Sequence, residues 1–319
     1  MFARWDSIVK YWPQYEWSNV GEMVRNFRVL PEPCEDGFQA KLVVITGATS
    51  GIGYHTARKY AANGARLLAV NRNEEKSVAL CQELRSEFGV ECEYLLGDLS
   101  RLDDIHRVGQ ALVQLESPID VLIHNAGLYL SRRTMTVDGL EMNFALHYLA
   151  PLIMNHMLTE KLIAQGWGRI ILVSSEGYRF AVWGVRLDDM NWEKRRYSGL
   201  RAYGSAKTGQ LLTMGLLAER FEGTGVTVNA VHPGLVQTNT GSENGPIYRM
   251  FKRHFIDRIS QPPEIAAEAL YFLGVSRKIE GLNGRFFHLT QEEELAPPAR
   301  DRQVAESLLE MSLSLVRSQ

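Results

Sequence analysis

The segment Tyr203-Gly204-Ser205-Ala206-Lys207 sets a phenol and an amine four residues apart. On a helix that spacing puts both on one face. A free phenol, with a pKa of about 10, is a poor base at neutral pH. An ammonium a few ångströms away favours the phenolate and lowers that value. The pair can therefore act as an acid–base couple that moves a hydroxyl proton. Tyr-x-x-x-Lys spacing is common on solvated helix faces, so chemistry follows only if a cofactor site accompanies it.

A second pattern supplies one. Thr46-Gly47-Ala48-Thr49-Ser50-Gly51-Ile52-Gly53 follows an apolar run and opens a helix-length segment. Glycines there permit a tight turn and let backbone N–H groups approach a pyrophosphate at the positive end of the helix. Between a strand and a helix of a βαβ unit, this is a strong dinucleotide signal. The next strand ends in Asn71-Arg72-Asn73. A cofactor with a free ribose 2′-OH usually meets a carboxylate at this point. A guanidinium suits a 2′-phosphate instead, through charge-assisted hydrogen bonds. NADP(H) is expected over NAD(H).

The elements that must position these groups are visible in the hydrophobic pattern. Apolar runs occur at 42–46, 66–71, 92–99, 121–124, 169–175, 226–232 and 285–290. Several are apolar almost throughout, as strands buried on both faces are. Helix-length amphipathic segments intervene at 52–63, 74–87, 102–115, 138–164, 203–222 and 264–275. Repeated strand–helix–strand order predicts an α/β fold, doubly wound, with a mostly parallel seven-stranded sheet and helices on both faces. One domain is expected over 41–319, with a C-terminal helix near 300–316 and a substrate lid near 237–263. Within the lid, apolar Ile247, Met250 and Phe251 alternate with basic Arg249, Lys252 and Arg253.

Residues 1–40 form an aromatic-rich extension with three of the six tryptophans, Trp5, Trp12 and Trp17. Helical spacing of Phe2, Trp5, Ile8, Val9 and Trp12 favours packing on the main domain over a membrane anchor, because basic and acidic residues nearly balance there. Apolar residues make up 45% and charged residues 23% of the chain, which excludes wholesale disorder. A formal net charge of −2 gives no field for nucleic acid. Three cysteines without a Cys-x-x-Cys predict a reducing compartment and neither a disulfide scaffold nor structural zinc. No apolar run approaches the roughly 18–20 residues of a membrane span. A cytoplasmic location is expected, with peripheral membrane contact as the alternative; the assembly state stays open, and a homodimer is compatible. No metal is required for the chemistry.

Taken in order, the motif at 46–53, Gly97-Asp98-Leu99, His124-Asn125-Ala126-Gly127, Asn143, Val173-Ser174-Ser175, Tyr203 to Lys207, and His232-Pro233-Gly234 with Thr238 are jointly specific. The stretch from about Lys41 to Thr290 resembles the short-chain dehydrogenase/reductase family, in its single-domain oxidoreductase branch. His124 departs from the pattern, which more often has a second asparagine. The resemblance implies Tyr203 as general acid/base and Lys207 as the group that lowers its pKa and binds the nicotinamide ribose. It implies Ser175, rather than its neighbour Ser174, as the hydrogen-bond partner of the substrate oxygen. Asn143 would hold a water linking Lys207 to solvent. Cofactor contacts would come from Gly47, Thr49, Ser50, Gly51, Ile52 and Gly53; from Arg72, Asp98 and Leu99; and from Asn125, Ala126 and Gly127. At the nicotinamide end they would come from Tyr203, Lys207, Pro233, Gly234, Val236 and Thr238.

The segment 188–197, and the pairing of Asn143 with His147, resemble the retinol-dehydrogenase-like relatives, which act on lipophilic aldehydes, ketones or alcohols. The expected function is thus an NADP(H)-dependent interconversion of a small-molecule alcohol and an aldehyde or ketone. The alternative is a non-catalytic nucleotide-sensing or scaffold protein on the same fold.

Overall fold

All five residues of the first strand, β1 (Leu42–Thr46), are buried, as a strand covered on both faces demands. Val43 and Ile45 pack into one apolar layer and Leu42 and Val44 into the other, so alternate side chains feed opposite faces. The computed structural model describes residues 10–15, 29–236 and 260–317. Its strands continue as β2 (Arg66–Asn71), β3 (Cys92–Leu96), β4 (Val121–His124), β5 (Gly168–Val173), β6 (Val226–His232), β7 (Phe286–His288) and β8 (Gln291–Glu293). The helices are α1 (Gly51–Ala62), α2 (Glu74–Phe88), α3 (Leu102–Val113), α4 (Ala150–Gln165), α5 (Gly199–Arg220), α6 (Pro263–Val275) and α7 (Arg302–Arg317). Side chains of α1, α2 and α6 fill one layer; those of α3, α4, α5 and α7 fill the other.

The sheet runs β3-β2-β1-β4-β5-β6-β7-β8. The chain winds outward from β1 to β3, then returns to lay β4 against the other side of β1. Strand order therefore reverses between β1 and β4, and the loops leaving their carboxyl ends diverge to open a crevice. The segments carrying Gly47, Arg72, Asp98, Asn125, Ser175 and Gly234 follow the C-terminal ends of β1 to β6 in turn. The fold thus delivers the motif residues to one edge.

Several boundaries differ from the sequence pattern for identifiable reasons. The seven expected strands are joined by an eighth, β8, which pairs antiparallel with β7 after a turn in which Leu289 takes φ of +54°. β3 ends at Leu96 because Asp98 turns the chain, its Oδ1 accepting from both the N–H and the hydroxyl of Ser100. The helix expected over 138–164 has a π-helical turn, Phe144–Leu149, running into α4. α5 begins at Gly199, so Tyr203 lies beyond its first turn rather than at its start. Most of the lid segment and Thr238 lie outside the described residues, as do 1–9 and 16–28.

The described part of the N-terminal segment docks on α7. Tyr11, 4% exposed, donates its hydroxyl to Asp301 Oδ2 at 2.7 Å, and Lys10 forms an ion pair with the same carboxylate. Asp301 in turn caps α7 by accepting from Val304 N. Removing one neutral partner from such a site costs about 1 kcal/mol. Tyr11→Phe should therefore lower the urea-unfolding free energy by about 1 kcal/mol, because Lys10 still neutralises Asp301. NADPH affinity should not change, and a fluorescence titration beside the urea melt checks both.

Candidate active site

The crevice at the switch point is a cleft of about 650 Å³. Its floor is the glycine turn. Gly47 holds φ of +70°, and a Cβ there would come 2.9 Å from Ala126 Cα. A Cβ on Gly53 would lie 2.2 Å from Gly47 O and 2.5 Å from Asn125 Nδ2, so the first turn of α1 packs directly on the loop. Ser50 stands at the N-cap of α1 without a side-chain cap bond, and no acidic residue occupies the first turn. The positive helix end, with its N–H groups, thus faces a cleft lined by Gly47, Thr49, Ser50, Gly51 and Ile52. These residues fit a dinucleotide pyrophosphate. Gly53 acts behind the wall rather than on it.

Asn125 fixes the width of the opening. Its Nδ2 donates to Thr46 O and Gly47 O, each at 3.0 Å, while Thr46 Oγ1 accepts from the N–H groups of Asn125 and Ala126, also at 3.0 Å. Asn71 Oδ1 accepts from Ala48 N at 2.8 Å and holds the loop from the β2 side. Beyond it, Arg72 and Lys76, both exposed, line the adenosine end of the cleft with Asp98, Leu99 and Ser100. Two cations and no aspartate or glutamate at the end of β2 fit a phosphorylated ribose. Lys76 went unnoticed in the sequence because a lysine in the first turn of a helix reads as surface. Its position four residues after Arg72 was the available signal.

At the other end Tyr203, Ser175 and Lys207 come together. Burial raises the Tyr203 phenol above its ordinary value, and a hydrogen bond from the Ser175 hydroxyl opposes the rise. Ser175 Oγ also accepts from Gly177 N at 3.0 Å, which fixes its rotamer. Ser174 is 97% buried by contrast, and its Oγ has no partner among the described residues. Lys207 is 4% exposed and donates to Val173 O at 2.6 Å, with its Nζ 5.9 Å from the centre of the Tyr203 ring. Burial, with no carboxylate beside it, pushes the ammonium down to about 7. The sequence argument gave Lys207 the larger effect on Tyr203; in the fold, desolvation of both groups outweighs it.

Asn143 Oδ1 is buried and has no hydrogen-bond partner among the described residues. Its Nδ2 donates to Glu141 Oε1 at 2.8 Å and lies 3.2 Å from Tyr197 Oη, and Asn143 does not line the cleft. Glu141, buried, also accepts from Tyr197 Oη at 2.9 Å and from Phe144 N at 2.9 Å. The residue of this helix that faces the cluster is His147, whose ring meets the Tyr203 ring edge-on at 5.1 Å. The family resemblance assigned the role to Asn143 and gave His147 only as its companion in the pattern. Ala126, Gly127, Pro233, Gly234 and Val236 line the wall, and Leu128, Met142, Leu146 and Leu235 give it apolar surface. His124 takes no part: it is buried, hydrogen-bonded to Asn155 at 2.7 Å, and pushed by burial to about 4. Among the described residues no helix is long and apolar enough to cross a membrane.

A family model described as short chain dehydrogenase matches residues 41–185. The chain is 32% identical over 291 residues to retinol dehydrogenase 13 of Homo sapiens, covering 89% of this chain and 87% of that protein. It is 33% identical over 293 residues to retinol dehydrogenase 14 of Mus musculus, 86% of each. Among solved structures, a short-chain dehydrogenase from Sphingobium yanoikuyae in complex with NADPH matches with a TM-score of 0.57 and 26% identity, over 72% of this chain and 82% of that one.

Burying Lys207 has a stability cost whose pH dependence can be worked out. The unfolded lysine keeps its proton up to a pKa of about 10.4, whereas the folded one loses it above about 7. Between those values the unfolded state binds more protons, so this group makes stability rise with pH; below about 7 its full cost is present. Lys207→Met should raise the unfolding free energy of the cofactor-free protein by roughly 2–4 kcal/mol at pH 6.5. The gain should shrink towards pH 10. Urea midpoints of both proteins at the two pH values decide it; a constant difference would mean that desolvation of the ammonium is not its source.

Proposed function

This chain belongs to the short-chain dehydrogenase family and is an oxidoreductase acting on CH–OH groups, and from the cleft we propose that it interconverts a lipophilic alcohol and its aldehyde or ketone with NADP(H). The observation that carries this reading is the convergence of the Ser175 hydroxyl on the Tyr203 phenol, beside Lys207, on the wall of the same cleft that the glycine turn floors. A protein that only sensed the nucleotide would have no chemical need for that trio.

When bound, NADPH supplies the hydride. The glycine turn and the N-terminus of α1 would hold its pyrophosphate, and Arg72 with Lys76 its 2′-phosphate. Ser175 Oγ would donate to the substrate oxygen, and Tyr203 Oη would protonate that oxygen as negative charge develops on it. In the oxidative direction Tyr203 takes the hydroxyl proton back. Lys207, held on Val173 O with its Nζ 5.9 Å from the centre of the Tyr203 ring, would stabilise the phenolate. Leu128, Met142 and Leu146 on the wall favour an apolar substrate, in line with the names of the relatives. Residues 10–15 pack on the domain, since Tyr11 is buried against Asp301.

A screen of NADPH oxidation against aldehydes, ketones, retinoids and steroids tests the activity. With the best substrate, Tyr203→Phe should reduce kcat by roughly 10²–10⁴-fold, the range of a lost general acid, and leave the NADPH Kd within about twofold. Retention of most of kcat would sink the assignment. Arg72→Ala and Lys76→Ala should each weaken NADPH by roughly ten- to a hundredfold, the worth of a charge-assisted hydrogen bond. NADH binding should be nearly unchanged in both. Equal losses for the two cofactors would mean that neither side chain reads the phosphate.

A further inference from the structure

Away from the cleft, α4, α5 and the C-terminal helix α7 enclose a second cavity of about 430 Å³. That volume suits a small molecule. A helix from a second copy, about 10–12 Å across, would fill it with roughly one turn. α7 already roofs part of the α4–α5 face: Leu308 is fully buried, and its Cδ2 lies 3.2 Å from where a Cβ on Gly209 would stand. Ser312 Oγ and Tyr148 Oη meet at 2.9 Å beneath the same helix. What remains open is lined chiefly by Leu152, Leu172, Met214, Leu217, Leu309 and Leu313.

Tyr148, Asn155, Thr159 and Thr213 are buried on the wall of this cavity, and each has a hydrogen-bond partner. Asn155 Oδ1 bonds His124 Nε2 at 2.7 Å, and the two threonine hydroxyls donate to Asn155 O and Gly209 O in their own helices at 2.8 and 3.1 Å. Gln210 differs. It is 97% buried and lines the cavity, yet its Oε1 has no partner among the described residues. A buried acceptor costs free energy until a donor meets it. A bound water needs about two to four polar partners, and this wall offers one open acceptor. A ligand that fits therefore carries a single donor on an apolar body. Its head is neutral, because Arg220 and Glu160, the guanidinium and carboxylate that line the cavity, already pair with each other at 2.7 Å.

We propose that the cavity between α4, α5 and α7 binds a neutral aliphatic alcohol, with its hydroxyl donating to Gln210 Oε1 and its chain lying on the leucines. The site is separate from the cleft, with which it shares no lining residue. The binding is non-covalent and does not rest on the alcohol–carbonyl reading above.

The probe is 2-methyl-2-hexanol, a tertiary alcohol that has no carbinol hydrogen and so cannot give up a hydride. Each site carries its own reporter: Met214 lines the cavity and Met142 the cleft. In NADPH-saturated protein labelled with ¹³C-methyl methionine, Met214→Leu and Met142→Leu assign the two signals. The probe should shift the Met214 methyl saturably. The methyl ether of the same alcohol accepts but cannot donate, and should bind the wild type roughly three- to tenfold more weakly, the worth of one hydrogen bond. Gln210→Leu should bind the alcohol as weakly as the ether, with its NADPH Kd within about twofold of wild type. Equal affinities of alcohol and ether for the wild type overturn the proposal, and that comparison holds even if Gln210→Leu does not fold. An alcohol preference that survives in Gln210→Leu overturns it too. So does a Met214 signal that stays still up to the solubility limit of the probe, whether the probe moves Met142 alone or light scattering shows a dimer covering the cavity. Retained activity in Tyr203→Phe, by contrast, would sink the alcohol–carbonyl reading and leave this site untouched.

Discussion

Everything in the cleft depends on how the backbone is satisfied where β1 and β4 part. Inside the sheet each N–H and C=O has a ladder partner; at the switch point the strands diverge and the ladder stops. Leaving those groups bare at a buried edge would cost free energy comparable to several lost hydrogen bonds. Thr46 and Asn125 replace the ladder with side chains: one hydroxyl accepts two N–H groups, and one amide donates to two carbonyls. The two loops therefore leave at a fixed separation, which gives the glycine turn, the Asn125 loop and Lys207 a common frame. Gly47 and Gly53 then follow as necessities, because Ala126 Cα and Gly47 O occupy the space a side chain would need.

Within that frame, burial and charge oppose one another. The proposed chemistry requires a phenol that can ionise and a lysine that can bear charge, and both are desolvated by the packing that positions them. The fold answers with hydrogen bonds instead of counter-ions: Val173 O for Lys207 and Ser175 for Tyr203. Among the described residues no carboxylate acts on either side chain, so the pair stays responsive to whatever enters the cleft. Glu141 is the buried acid nearest in sequence to the cleft helix, and it is spent on Tyr197, Asn143 and the N–H of Phe144.

How much of this could be read from the sequence follows the physics of each signal. Largely apolar runs announced β1, β2, β4 and β6 to the residue, because the buried centre of each is mostly apolar and polar Thr46, Asn71, His124 and His232 mark the ends. β8 was missed: Gln291-Glu292-Glu293 carries no apolar alternation and forms only because β7 offers an edge. The site was legible as motifs, since glycine at a turn and tyrosine four residues before lysine are local in sequence. What was not legible is which residue of the helix from 138 onward faces Lys207. That is decided by the π-helical turn, and no periodicity of side-chain type distinguishes it from an α-turn. The phenol's environment was likewise hidden, because burial is a tertiary property.

The extra strand also reaches the serine turn through an ion-pair cluster. Glu176 follows Ser175 directly and is ion-paired with Arg179 in the same turn, while Arg179 Nη2 lies 3.7 Å from Glu293 on β8. The Glu293 side chain is wholly buried, and His288 on β7 approaches it at 3.8 Å. Burial raises the Glu176 carboxyl and lowers the His288 imidazole, each towards its neutral form, with Arg179 opposing the first. These groups come within the reach of a metal ion's ligands, but a guanidinium already sits between the two acids. The cluster therefore works as a brace: separating its members would expose an uncompensated buried charge, which costs far more than a surface pair. Through Arg179 the C-terminal hairpin holds the turn that carries Ser175, so an edge strand with no motif of its own braces the proposed proton-transfer site.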